Sequence, residues 1–244
     1  MVNQELPINT DNFTMDELEQ CLKKVSTNKA AGLDEIPGEV WKIGSLKDDL
    51  LDVCNKTLNG DKPHSWSQIG IKPIPKKGNL TLAQNYRGIA LSPVAAKIYN
   101  RMLLLRIRPH LDPLLRKNQN GFREGRSTVA QILTLRRIIE GIKAKRLPAI
   151  CTFVDFKKAF VSVDRTEMVT ILSSYGIPEK LVNAIAVMYE TQKLWLYHLT
   201  ERQSSLTSWP ESSRGTHLHH FYLSSWLTTS CVLLLKIIST LDSH

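Results

Sequence analysis

WSQIGIKPIPKKG (66–78), followed shortly by LSPVAAKIYNRMLLLRIRPHL (91–111), decides the architecture of this chain. In the first stretch the apolar Ile69, Ile71 and Ile74 alternate with other residues, which predicts a strand. Pro73 and Pro75 interrupt it, and a proline has no N–H to donate to a neighbour, so an edge or hairpin position is expected. The second stretch reads as a long helix with Arg and Lys on one face, and residues 128–145 read the same way. Upstream, TMDELEQCLKKVST (14–27) has a capping Thr, acids in its first turn and lysines in its last, as a helix requires. Gly32, Pro37 and Gly38 mark a loop, and a second helical stretch runs from Trp41 to Leu58. Downstream, PAICTFVD (148–155) predicts a buried strand ending in a carboxylate, and two helices follow over 164–175 and 178–190, separated by Gly176. Helices with few strands give an α+β class.

Composition narrows the partners. The 244 residues carry 32 Lys/Arg against 23 Asp/Glu, a net charge of +9. Residues 71–150 alone hold 17 Lys/Arg and only Asp112, Glu124 and Glu140 as acids, a local balance of +14. A single-sign block of this size suits a polyanion, with nucleic acid first among candidates. Cys21, Cys54, Cys151 and Cys231 are far apart with no C-x-x-C pair, which argues against a disulfide framework or zinc ribbon and for a reducing, intracellular setting. The opening residues MVNQELPINTDNF hold no apolar core of a secretory signal.

Four ordered blocks carry the chemistry: IKPIPKKGN (71–79), NYRGIALSPVAAKIYNRMLLLRI (85–107), QNGFREGRST (119–128) and FVDFKKAF (153–160). Together they resemble the reverse transcriptase of non-LTR (LINE-type) retrotransposons, and NKAAGLDEIPGEVWK (28–42) is similar to that family's N-terminal block, so the likeness covers about residues 12–191. The resemblance implies the fingers and partial palm of a right-hand polymerase, with residues 1–67 a helical extension of the fingers, 68–150 the basic fingers and 151–191 the first part of the palm. It implies RNA-templated DNA synthesis from deoxynucleoside triphosphates with Mg2+, on an RNA template and DNA primer. In that scheme Asp155 is the first catalytic and metal-binding carboxylate, and Phe160 lies under the incoming sugar and excludes a 2′-hydroxyl. Lys76 or Lys77 and Arg87 contact the triphosphate, and Arg123 and Arg126 pair with template phosphate around two glycines.

The chain also departs from that family. Val161 stands where the family has an Asp, and Ala31 and Leu33 stand where it has prolines. The family's Tyr-Ala-Asp-Asp hairpin is not found in the 244 residues, and the one Asp-Asp pair, Asp48-Asp49, lies in a helical stretch upstream of the basic block. One carboxylate does not hold two divalent ions, so the chain is expected to be catalytically incomplete, and a non-catalytic nucleic-acid-binding remnant is the alternative. From Gln192 onward 16 of 53 residues are Ser or Thr. Read one base out of frame, residues 194–235 permit a string resembling the family's next block, including Gln-Gly-Asp. A frameshift near Thr191 is therefore expected, with residues 192–244 a poorly ordered tail. His217-x-His219-His220 and the 15-residue run 221–235 are read as accidents of that tail, neither a metal site nor a membrane span.

Overall fold

A computed structural model describes residues 4–82, 85–154, 163–190 and 192–196. It contains helices α1 (Met15–Lys23), α2 (Lys47–Leu58), α3 (Val94–Leu111), α4 (Thr128–Ala144), α5 (Arg165–Ser174) and α6 (Glu179–Val187), and strands β1 (Gln68–Pro75), β2 (Tyr86–Leu91) and β3 (Lys193–Leu196). The class is mixed α and β, with one small sheet among the described residues, in the order β2-β1-β3.

Local chemistry accounts for most of these elements. α1 starts at a capping box, in which Thr14 Oγ1 accepts from the Glu17 N–H while the Glu17 carboxylate accepts from the Thr14 N–H. α5 starts where the Asp164 carboxylate accepts from the N–H groups of Thr166 and Glu167. Gly176 closes it at φ +79°, and a Cβ there would lie 2.5 Å from the Gln4 carbonyl oxygen, so only glycine fits beneath the N-terminal segment. The second helical stretch begins as two short 3-10 turns, Val40–Lys42 and Gly44–Leu46, before α2 takes over. The loop upstream of them docks at the β2–α3 junction, where a Cβ on Gly32 would meet the Pro93 nitrogen at 2.6 Å.

The core gathers around α3, twelve of whose eighteen residues are buried. Tyr99 sits at its centre, edge-on to Phe13 with ring centroids 6.0 Å apart and tilted against Trp66 at 5.6 Å, while its hydroxyl donates to the Ala184 carbonyl. α3 does not carry its basic residues on one face, contrary to expectation. Arg106 is buried and points to the opposite flank, where it forms a bidentate pair with Glu17, donates to the carbonyls of Asn9, Asp11 and Asn12, and lies 4.4 Å over the Phe13 ring. The buried guanidinium is thus fully supplied with acceptors, one of them a carboxylate, which is why a charge is tolerated there. One hydrophobic cluster draws on α1, α2, β1, α3, α5 and α6.

Two further expectations are corrected. Residues 147–154 form no strand and are all exposed, Ile150 by 96% and Phe153 by 81%. A buried strand needs a ladder partner, and the free edge of β1 is taken by β3 in parallel register, Gln68 opposite Lys193 and Gly70 opposite Trp195. That strand is itself the second correction, because Lys193–Leu196 belong to the segment expected to be poorly ordered. Lys62, whose ammonium donates to the Val187 and Glu190 carbonyls at 2.7 Å, fixes the end of α6 just before β3. Residues 197–244, and with them the His217–His220 cluster, lie outside the described residues.

Candidate nucleic-acid interface

The hairpin of β1 and β2 is an antiparallel pair in which Ile71 faces Ala90, Lys72 faces Ile89, Pro73 faces Gly88 and Ile74 faces Arg87. Side chains alternate between the two faces of such a ribbon. One face turns inward with Ile69, Ile71 and Ala90, all buried. The other carries Lys72, Ile74, Arg87 and Ile89, all exposed. β1 is the central strand along 68–71, where β3 pairs, and an edge from Lys72 onward. Both prolines fall in that outer half. Since the Lys76 N–H donates across to the Asn85 carbonyl at 2.7 Å, the nitrogens of residues 73 and 75 turn towards the unpaired side, where no ladder bond is lost. The edge-or-hairpin expectation is met: β1 pairs with β2 in a hairpin from Gly70 to Pro75, and its other side is an edge from Lys72 onward.

The connecting loop is braced from within. The Asn79 side-chain oxygen accepts from the Thr81 N–H at 2.9 Å and from its hydroxyl at 2.8 Å, while the Asn85 side-chain amide donates to the Asn79 carbonyl at 2.7 Å. Gly78 takes φ +117°, which permits the turn directly after Lys76 and Lys77. Lys76, Lys77 and Arg87 are exposed, and none of them forms an ion pair among the described residues. No acid occurs between Asp61 and Asp112 in the sequence, so the hairpin is a cationic ribbon with no internal neutralisation. Lys72 was not among the expected contacts, yet period-two spacing from Lys76 was the signal that places it on the same face.

The second expected contact is divided. Arg123 Nε and Nη2 bond the Asp112 carboxylate at 2.8 Å, Nη2 also donates to the Asp112 carbonyl, and Nη1 donates to the carbonyls of Arg116 and Gln119. All five guanidinium N–H groups are thereby used. Its side chain is only 7% exposed, and hydrogen bonding from Arg123 holds the Asp112 carboxyl below its ordinary range despite partial burial. Arg123 therefore organises the 112–127 loop and has no donor left for a phosphate, a correction to its expected role. Arg126 is exposed and forms no ion pair among the described residues. Behind the hairpin, burial pushes the Lys97 ammonium down in pKa and the Asp34 carboxyl up, each partly offset by the other's charge.

Asp155 and Phe160 lie outside the described residues, as does the rest of 155–162. Among the described residues no group of three His, Cys, Asp or Glu side chains converges as a metal would require. The described part of the chain thus offers a cationic surface and no metal site. No helix among the described residues is long and apolar enough to cross a membrane.

Comparison with known proteins gives a consistent match. The family described as reverse transcriptase (RNA-dependent DNA polymerase) matches residues 74–216, more than half of the chain and extending past Thr191. The chain is similar to the transposon TX1 uncharacterized 149 kDa protein of Xenopus laevis, 27% identical over 180 residues, covering 72% of this chain and 14% of that protein. It is also similar to the retrovirus-related Pol polyproteins from type-1 retrotransposable element R2 of Popillia japonica and Nasonia vitripennis. The first is 27% identical over 128 residues, covering 52% of this chain and 18% of the relative. The second is 25% identical over 193 residues, covering 77% and 17%. The chain spans less than a fifth of the length of each of these relatives.

Proposed function

Since this chain belongs to the reverse transcriptase (RNA-dependent DNA polymerase) family, with relatives among LINE-type elements, we propose that it is the fingers and first part of the palm of such a polymerase. In this reading residues 1–67 extend the fingers, 68–150 form the basic fingers and 151–191 begin the palm. The observation that carries it is the exposed row of Lys76, Lys77 and Arg87 on a hairpin anchored in the core and lying within the matched residues. These cations bind phosphate, both the nucleic-acid backbone that crosses the hairpin and the triphosphate of an incoming deoxynucleotide, whose charge they offset during phosphoryl transfer. Arg126 holds template phosphate from a loop that Arg123 keeps in shape. Asp155 is the carboxylate that would hold divalent metal, and Phe160 selects against a 2′-hydroxyl. Bound divalent ions supply charge stabilisation at the reacting phosphate.

These 244 residues offer Asp155 and no second Asp-Asp pair beyond Asp48-Asp49, whose carboxylates stand in the first turn of α2. Alone, the chain therefore binds template and primer without extending the primer. The alternative of a purely binding remnant is favoured by the same absence and shares its surface. The test is primer extension on an RNA template with Mg2+, run beside a binding assay. Binding without extension is expected, and joining Lys76→Ala, Lys77→Ala and Arg87→Ala should weaken it at least tenfold at low salt. Extension that disappears in Asp155→Ala would overturn the incompleteness, and unaltered binding by the triple variant would overturn the interface.

A further inference from the structure

Lys72 stands four residues before Lys76 on β1 and directly opposite Ile89 on β2. The next rung on the same face pairs Ile74 with Arg87, and the Lys76 N–H to Asn85 carbonyl bond continues the ladder by one more rung. The cation thus changes strand at each step, Lys72 beside Ile89, then Arg87 beside Ile74, then Lys76 beside Asn85. A strand advances about 3.4 Å per residue, so Lys72, Arg87 and Lys76 follow one another at steps of about 7 Å along the ribbon. That interval is close to the spacing of neighbouring phosphates along an extended single strand, so each cation can meet one phosphate. Lys72 is exposed, forms no ion pair among the described residues, and faces no acid within its own hairpin. Between the cations Ile74 and Ile89 remain 40% and 36% exposed. Apolar positions set among cations suit an unpaired strand, whose bases and sugars are free to lie against them, better than a duplex, whose bases are stacked away.

We propose that Lys72, Arg87 and Lys76 form one phosphate track along the hairpin, with Lys72 its inner end holding the backbone of a single-stranded nucleic acid. This rests on the hairpin being the nucleic-acid interface. It extends that interface from the loop tip down to the point where β1 enters the sheet, and it gives Lys72 a positioning role.

The test uses the full chain and a fluorescein-labelled 20-nucleotide oligouridylate, with affinity measured by anisotropy from low to moderate salt. For a single strand each phosphate contact contributes about 0.7 to the slope of log affinity against log salt. Lys72→Ala should reduce the slope by about 0.7 and weaken binding about fivefold at 0.1 M salt, the same 0.7 referred to 1 M. Lys72→Arg should restore both, and neither variant should change the melting temperature, since the side chain is exposed. If Lys72→Ala keeps the parent slope while Lys76→Ala and Arg87→Ala lose theirs, the hairpin binds nucleic acid and the track is wrong. If Lys72→Ala weakens a duplex of the same length and leaves the single strand unaffected, the assigned ligand is wrong. If none of the three substitutions changes the slope, the track falls together with the interface it extends.

Discussion

α3 and α4 are alike in sequence and opposite in circumstance. Both mix aliphatic with basic residues over four to five turns, yet α3 is the centre of the core and α4 has no buried residue at all. Ile132 on α4 is 67% exposed, while Ile107 on α3 is fully buried. An arginine on α3 is held by a carboxylate and three carbonyls, whereas Arg136 on α4 reaches only Glu140 one turn away, both in solvent. The difference lies in what surrounds each helix. α1, α6 and the sheet close over α3, while α4 is flanked by the exposed 112–127 loop and the unpaired residues 147–154. A helical pattern records that a face is able to be buried, and only the rest of the fold decides whether it is.

That contrast is open to direct challenge. Arg106→Ala leaves Glu17 and three carbonyls without their partner and should destabilise the protein by about 3–5 kcal/mol in denaturant unfolding. Arg136→Ala should change stability by less than about 0.5 kcal/mol. Equal effects would erase the distinction between the two helices. Ile107→Ala, which opens a cavity in the core along α3, should cost about 2–4 kcal/mol, and Ile132→Ala less than about 0.5.

The Glu17–Arg106 pair also sets a pH dependence. Burial raises the Glu17 pKa, but hydrogen bonds from Arg106 and the Thr14 N–H outweigh it and hold the carboxyl below its ordinary value. A carboxylate whose folded pKa is depressed contributes stability that is present above its unfolded pKa and lost as pH falls through the folded one. Stability should therefore decline below about pH 4.3, the ordinary glutamate value. Glu17→Gln should flatten part of that acid limb, and a parent-like slope in the variant would assign the loss elsewhere, with Asp112 the next candidate.

The smallest effect is a labelling pattern. Burial pushes the Cys21 thiol up to about 11 and the Cys54 thiol up to about 12, so neither should react with iodoacetamide at neutral pH in the folded protein. Cys151, exposed beyond α4, should be modified before either of them. Peptide mapping reads this directly, and early modification of Cys54 would show that the packed half opens.

The sequence made the helices of the packed half legible because their signals are local: the capping box at Thr14, the Asp164 cap and Gly176 each act within a few residues of the helix they bound. The cationic hairpin tip was legible for the same reason, since Lys76, Lys77 and Gly78 adjoin a prolines-and-isoleucines strand. What could not be read depended on distant partners. Arg123 looks like a free cation until Asp112 and two carbonyls are seen to fill its donors. Residues 148–154 have the composition of a buried strand, yet they are exposed and in no strand, because no other element of the described residues packs against them. Spacing from Lys76 puts Lys72 on the same face of the strand, but its rung with Ile89 and its neighbour Arg87 depend on the β1–β2 register, which local spacing does not record.

The central claim is that a packed scaffold presents the β1–β2 hairpin as the nucleic-acid surface. Hydrogen exchange of the full chain, with and without an RNA template annealed to a DNA primer, tests it most directly. Slowed exchange is expected at residues 72–78 and 85–89 on adding nucleic acid, with α1 and α2 unchanged. Protection confined to α4 or to α1 and α2, with the hairpin unaffected, would contradict it.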